Sequence, residues 1–413
     1  MVSNRLTSLI LVGLATGAAG GWLVNTQFPD SAAAFATNAA LLPLIFLRLI
    51  KMIIAPLVFS TLAVGLGRMS DVATVGRVGG KALAWFVFAS LVSLTLGLLL
   101  VNFLEPGQVL DLPLPEANAS SGIQAGALTL TGFIEHTVPS SVIDAMARNE
   151  ILQIVVFAIF FGTAMAAIGE RGRTVIDVLD ALAHIMLKVT SYVMLFAPLA
   201  VFGALASTVA SRGLGILGVY GLFIAEFYLG LVILWLLLLG FVTLVIGRRV
   251  FRLVRRIREP LLLAFSTASS EAAYPKTLEE LERFGCSNRI ASFVLPMGYS
   301  FNLDGSMMYC TFAVMFIAQV YDIDLSAGQQ FMMLVILMLT SKGIAGVPRA
   351  SLVVIAATLA QFNIPEAGLL LLLGIDHFLD MGRSATNVVG NSVATVLVSH
   401  WERELRGDEG RTH

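Results

Sequence analysis

Apolar residues run along this chain in long, nearly unbroken stretches, near 6–26, 41–66, 82–104, 150–169, 185–210, 217–247, 289–320 and 367–400. Each is about as long as the 20 or so residues an α-helix needs to cross a bilayer. A weaker amphipathic stretch, 129–147, precedes the fourth. Lys and Arg gather in 67–81, 170–188 and 248–258, and are absent from 27–40, 321–327 and 362–366. By the positive-inside rule, both termini are expected in the cytoplasm. The run after Arg5 could be a cleaved signal peptide, but its length and the spans that follow favour an uncleaved first crossing.

Two stretches break the pattern. Residues 259–288 begin apolar, reach a polar tip, Ser266-Thr267-Ala268-Ser269-Ser270-Glu271, and return past Pro275. Residues 327–361 rise, break at Gly343-Ile344-Ala345-Gly346-Val347-Pro348, and descend. The rising arm has about 15 residues, or about 22 Å, short of the ~30 Å hydrocarbon core. Both read as re-entrant hairpins entering from opposite faces, as an inverted repeat would produce. A third break, Asn302-Leu303-Asp304-Gly305, interrupts the seventh span. Gly and Pro could merely kink packed helices. Three polar breaks in one block favour a shared site, because irregular backbone at membrane depth needs a protein or water-filled surround.

Composition agrees. Of 413 residues, 57% are hydrophobic and 13% charged, about half the charge of a soluble domain. The net charge of −1 gives no sign of a nucleic-acid partner. Cys286 and Cys310 do not suggest a disulfide framework, the five histidines show no metal-ligand spacing, and no cofactor is expected.

The last span carries the chemistry. Asp376, Asp380, Arg383, Ser384, Asn387 and Asn391 fall on one helical stripe about 100° wide. Each charge costs some 2.5–3.5 kcal/mol at a bilayer centre, which argues for function, although an internal Asp380–Arg383 pair could also lock the fold. Arg383 offers a planar donor fork to a carboxylate, and Asp380 an acceptor for an ammonium group. Backbone N–H groups at the hairpin tips, with Ser269 and Ser270, suit a second carboxylate. An acidic α-amino acid meets all three; a plain dicarboxylate leaves Asp380 without a cation.

The motifs Ser-Thr-Ala-Ser-Ser-Glu-Ala-Ala-Tyr-Pro (266–275), Gly-Tyr-Ser-Phe-Asn-Leu-Asp-Gly-Ser (298–306), Thr-Ser-Lys-Gly-Ile-Ala-Gly-Val-Pro (340–348) and Asp-Met-Gly-Arg-Ser-Ala-Thr-Asn-Val-Val-Gly-Asn (380–391) carry a resemblance over essentially the whole chain. The chain resembles the dicarboxylate/amino-acid:cation symporters, which include bacterial glutamate and C4-dicarboxylate carriers and animal excitatory amino-acid transporters. The resemblance implies an all-α polytopic protein of the bacterial inner membrane. It further implies eight transmembrane helices plus two re-entrant hairpins, assembled as a homotrimer with an elevator mechanism. Scaffold helices would occupy 1–81 and 105–212, and transport-domain helices 82–104 and 213–258. The first hairpin (259–288), the broken helix 7 (289–326), a second hairpin acting as gate (327–366) and helix 8 (367–400) would complete the transport unit, before a tail at 401–413. The substrate residues it implies are Ser269, Ser270, Ser306, Gly346, Val347, Asp380, Arg383, Ser384 and Asn387. C4-dicarboxylate members tend to lack the acid at Asp380 and neutral amino-acid members lack the arginine, so glutamate or aspartate is the expected cargo.

Sodium-driven members place an aspartate where this chain has Asn391, near Asn302 and Asn387, and set third-span hydroxyls beside the equivalent of Asp304. Here the latter positions correspond to Phe86, Ala89 and Ser90. With Ser300 and Ser341, these are remnants of cation sites that have lost oxygens a hard cation needs. Proton coupling is therefore expected through Glu271, Asp304 or Asp376, with sodium as the alternative. Glu271 could instead form a structural salt bridge, and Lys342 is its expected partner. His377, one residue from Asp376, points about 100° away from it, and no nucleophile elbow is present, so an enzyme is not expected. A pure channel would not need the Asp380 and Arg383 pair.

Overall fold

The computed structural model describes residues 2–67, 72–109, 134–135, 137–213, 215–340, 350–373 and 375–406. Among these every long element is helical, and the only strand-like pairing is an isolated bridge between Cys286 and Leu405. Helices α1 (Val2–Gln27), α2 (Pro29–Ala39) and α3 (Leu41–Gly67) open the chain, followed by α4 (Val72–Leu104) and α5 (Ile151–Ala167). Then come α6 (Arg173–Val193), α7 (Ala197–Arg212), α8 (Gly215–Ile246), α9 (Arg249–Thr267), α10 (Ser270–Phe284), α11 (Asn288–Phe301) and α12 (Asp304–Val320). The last are α13 (Ala327–Thr340), α14 (Ala350–Gln361) and α15 (Asp376–Trp401). Among the described residues, six segments are long and apolar enough to cross a membrane: Ser8–Gln27, Pro29–Gly67, Gly76–Gln108, Gly169–Arg212, Tyr220–Ile246 and Asn288–Val320. The chain is a polytopic membrane protein.

The structure redraws several expected boundaries. The loop 27–40 is mostly helix α2, because Pro29 sits in its first turn and alanines fill its length. The expected span 185–210 is two helices, α6 and α7, joined by a 3₁₀ turn at Met194–Phe196 just ahead of Pro198. The fourth span is only the 17 residues of α5. The Arg-rich stretch does not end the sixth span. It forms the first turns of α9, after Gly247 closes α8 in the left-handed region at φ 60°. The final span begins at Asp376 and is nearly all buried, because it packs on α8, α9, α10, α11 and α12.

α15 is thus the axis of a cluster comprising α8 to α12. α3 and α7 pack along one side of this cluster, and α4 lies against α12. α9 and α10 pack together as a helical hairpin, with its tip at Ala268-Ser269. α13 and α14 also pack together; the break between them, with Ser341, Lys342, Gly346 and Val347, lies outside the described residues.

Candidate functional site

The tip of the α9–α10 hairpin is made by local chemistry. Ala268 is in the left-handed conformation (φ 48°) and stops α9. Ser269 then caps α10, its Oγ accepting from the Ala272 amide at 3.2 Å. Ser269 therefore serves the hairpin's own backbone, while Ser270 and Glu271 follow in the first turn.

The break between α11 and α12 is held from across the site. Asn387 Oδ1 accepts from the amides of Gly305 (2.9 Å) and Ser306 (3.4 Å), and its Nδ2 donates to Ser306 Oγ at 3.2 Å. A side chain of α15 thereby supplies the acceptors that the start of α12 lacks. Gly305 is required here, because a Cβ would lie 2.5 Å from the Arg383 carbonyl oxygen and 2.8 Å from Thr386 Cβ.

Arg383 is the largest of the fully buried side chains, 1% exposed. Its guanidinium lies 4.2 Å from the centroid of the Tyr309 ring. One nitrogen, Nη2, contacts Asp380 at 3.0 Å and Asp376 at 3.3 Å. Asp376 also accepts from the Tyr309 hydroxyl at 3.2 Å. The other two nitrogens, Nε and Nη1, are buried without a hydrogen-bond partner. An unmet buried donor costs about 1–3 kcal/mol, so a ligand that fills these positions is worth that much.

Arg383 and Asp380 line a cavity of about 570 Å³. α15 contributes His377, Asp380, Arg383, Ser384 and Asn387, and the hairpin tip contributes Ser269, Ser270 and Glu271. Ser306 enters from α12, and Lys51 from α3. The structure brings Ser269, Ser270, Ser306, Asp380, Arg383, Ser384 and Asn387 together around one space. Asp380 is in both arrangements weighed from sequence: it pairs with Arg383, yet its side chain stays 33% exposed toward the cavity. Ser384 donates to it at 3.4 Å. Lys51 is a residue the sequence argument missed. A lysine near the middle of an apolar span is the signal that could have flagged it. It shares the cavity wall with Glu271 and is a described cation facing that acid.

A second polar cluster lies deeper. Asp304 is fully buried; Asn302 Nδ2 donates to its Oδ2 at 3.1 Å and to Asn391 Oδ1 at 3.4 Å. Ser93 of α4 donates to Asp304 Oδ1 at 3.3 Å, a hydroxyl one turn beyond Ser90, the third-span residue singled out by sequence. Ser90 is itself buried. Ser300 Oγ, Asn302 Oδ1 and Asn391 Nδ2 are buried without partners. Among the described residues, no His, Cys, Asp and Glu group of three could hold a metal ion.

Comparison with known proteins points the same way. A model of the sodium:dicarboxylate symporter family matches residues 6–401. A C4-dicarboxylate transport protein of Geobacter sp. (strain M21) is 41% identical over 96% of this chain and 90% of its own length. Proteins of the same name from Burkholderia thailandensis and Burkholderia pseudomallei (strain 668) are 43% and 44% identical. Their alignments cover 89% and 87% of this chain, and 87% and 85% of their own lengths. A matched family model over nearly the whole chain, with a buried arginine in the wall of a cavity between helices, leads to one conclusion: this chain belongs to the sodium:dicarboxylate symporter family.

Proposed function

We propose that the protein imports four-carbon dicarboxylates by symport, and that the amine-bearing member of that class, aspartate, is its preferred cargo. The observation that carries this is the Arg383–Asp380 pair: a buried guanidinium with two unfilled nitrogens beside a carboxylate open to the same cavity. The guanidinium fork suits one substrate carboxylate. A second carboxylate suits the hairpin tip, with Ser270 and Lys51 nearby. The names of the relatives support the four-carbon length. Asp380 then selects within that class. Its charge repels an unsubstituted dicarboxylate seated on Arg383 and attracts the ammonium of an α-amino acid. Glutamate, one methylene longer, carries the same groups, and only the relatives' names favour the shorter chain.

A second reading, an unsubstituted C4-dicarboxylate symporter, is favoured by the relatives' names together with the short Asp380–Arg383 contact, which could serve only to hold Arg383 in place. Uptake of labelled aspartate into proteoliposomes separates the two, with succinate, fumarate and glutamate as competitors. The proposal expects aspartate to compete best. If succinate competes more strongly than aspartate, the second reading replaces it.

The proposed driving ion is the proton, with Glu271, Asp304 and Asp376 as candidate carriers; the amide at Asn391 supports this reading. Sodium is the alternative, and Ser93, beside Asp304, restores one oxygen to it. Aspartate enters as −1, so at least two cations must accompany it for the membrane potential, worth about 2.3 kcal/mol per charge per 100 mV, to contribute. Separately imposed proton and sodium gradients decide the ion: uptake that needs sodium and ignores a proton gradient would overturn proton coupling. The proposed setting is a homotrimer of the inner membrane with cytoplasmic termini. The cluster around α15 would move as an elevator against α1, α3, α5 and α7.

A further inference from the structure

α8 has 32 residues, about 48 Å of helix, more than the ~30 Å hydrocarbon core. A helix this long leaves the hydrocarbon core at one end at least, and the arginines that follow Ile246 mark that end as the one at headgroup level; α9 starts there after a two-residue turn. The arginines of α9 divide between two faces. Arg249 donates to the Arg406 carbonyl oxygen at 2.6 Å and lies over the Phe284 ring, as does Arg252. Arg256 pairs with Glu280 at 3.4 Å. These three fasten α9 to its own hairpin partner and to the chain after α15, while Val250, Leu253 and Ile257 fill the core beneath.

The opposite face is turned away from these contacts. Arg248, Phe251, Val254, Arg255 and Arg258 recur at helical spacing and are all exposed, Phe251 by 74%. An exposed aromatic ring between exposed guanidinium groups, at the end of a membrane-length helix, combines an apolar group for the acyl boundary with cations for phosphate. Positive charge alone would orient the chain; it would not need a phenylalanine among the arginines.

We propose that this face of α9 binds the headgroup of an anionic phospholipid in the leaflet at this end of the protein. Arg248 and Arg255 hold the phosphate and Phe251 inserts beside the glycerol. The lipid then anchors the base of the α9–α10 hairpin, whose far tip lines the cavity, to this leaflet at one end of the elevator's travel. This inference is independent of which substrate is carried.

The test uses the full chain with Phe251→Trp, reconstituted in phosphatidylcholine vesicles containing brominated phosphatidylglycerol or brominated phosphatidylcholine. Bromine quenches tryptophan on contact, and the unsubstituted chain, which has four tryptophans, supplies the background. The expected result is about a thirtyfold relative preference for phosphatidylglycerol at position 251, because two arginines face a net negative headgroup there and a zwitterion, its phosphate offset by choline, in phosphatidylcholine. It should be lost in Phe251→Trp combined with R248Q and R255Q, with unchanged thermal unfolding. A relative preference near one in the Phe251→Trp chain itself overturns the proposal without any arginine variant. Displacement of the lipid by millimolar inorganic phosphate also overturns it, by making the face a free-anion site.

Discussion

Arg383 lies over Tyr309, 4.2 Å from the ring centroid, while the Tyr309 hydroxyl donates to Asp376, which also touches Arg383. One tyrosine thus supports the guanidinium from below and holds one of its carboxylate partners. The guanidinium has little freedom left, so its unfilled nitrogens are aimed before any ligand arrives, and less ordering cost remains for binding.

Arg383→Ala should lower substrate affinity by about 100-fold or more, the cost of removing one partner from a buried charge-assisted contact. Arg383→Lys should recover little, because an ammonium lacks the planar fork and the stacking face. Tyr309→Phe keeps the ring and should cost about 1 kcal/mol through the lost Asp376 contact. Isothermal titration or substrate protection against thermal unfolding reads all three. Unchanged affinity in Arg383→Ala would remove it from the site.

Asp380→Ser should weaken aspartate binding by about tenfold or more and improve succinate binding, because the ammonium loses its partner and the dianion loses a repulsive neighbour. Competition curves for both ligands in the same variant give the answer. A parallel loss of both would assign Asp380 to holding Arg383 alone.

Asp304→Asn should abolish ion-coupled accumulation while counterflow exchange persists. Ser93→Ala should shift the ion or pH dependence of uptake in the same direction by a smaller amount, since it removes the hydroxyl at 3.3 Å from Asp304. Normal accumulation by Asp304→Asn would exclude this acid from coupling.

Gly305→Ala should destabilise the fold by about 1–3 kcal/mol, an overpacking cost, because α12 and α15 meet too closely for a methyl group. Thermal unfolding in detergent checks it. The same change should weaken substrate binding, since the neighbour that must move is the backbone of Arg383 itself.

Glu402, just beyond α15, contacts Lys81 at 2.7 Å and Arg77 at 3.0 Å. Desolvation pushes its carboxyl up, but the hydrogen bonds and charges of Arg77 and Lys81 outweigh this and hold it below its ordinary 4.5. A lowered value in the fold means the contribution is present at neutral pH and lost as pH falls from about 4.5 through the lowered value. Glu402→Gln should therefore cost about 1 kcal/mol at pH 7 and nothing in strong acid, as read by unfolding across pH.

The sequence by itself determined the solvent and the chemistry of the last helix. Runs such as 217–247 cannot be buried in a water-soluble domain, and a 3.6-residue period puts Asp380, Arg383, Ser384 and Asn387 on one stripe however the neighbours pack. Local rules also marked the hairpin tip, since Ser269 caps a helix by its own backbone geometry. Tertiary structure decided what lies opposite that stripe. Nothing in spacing says that Tyr309 stacks under Arg383, that Asn387 caps the start of α12, or that Ser93 donates to Asp304. Those pairings join residues up to 211 positions apart, and helix-on-helix packing selects them by shape and close approach at glycines such as Gly305. Helix boundaries were lost for a related reason: α2 and the α6–α7 turn follow local alanine and proline chemistry inside stretches whose hydrophobicity averages out to loop or span.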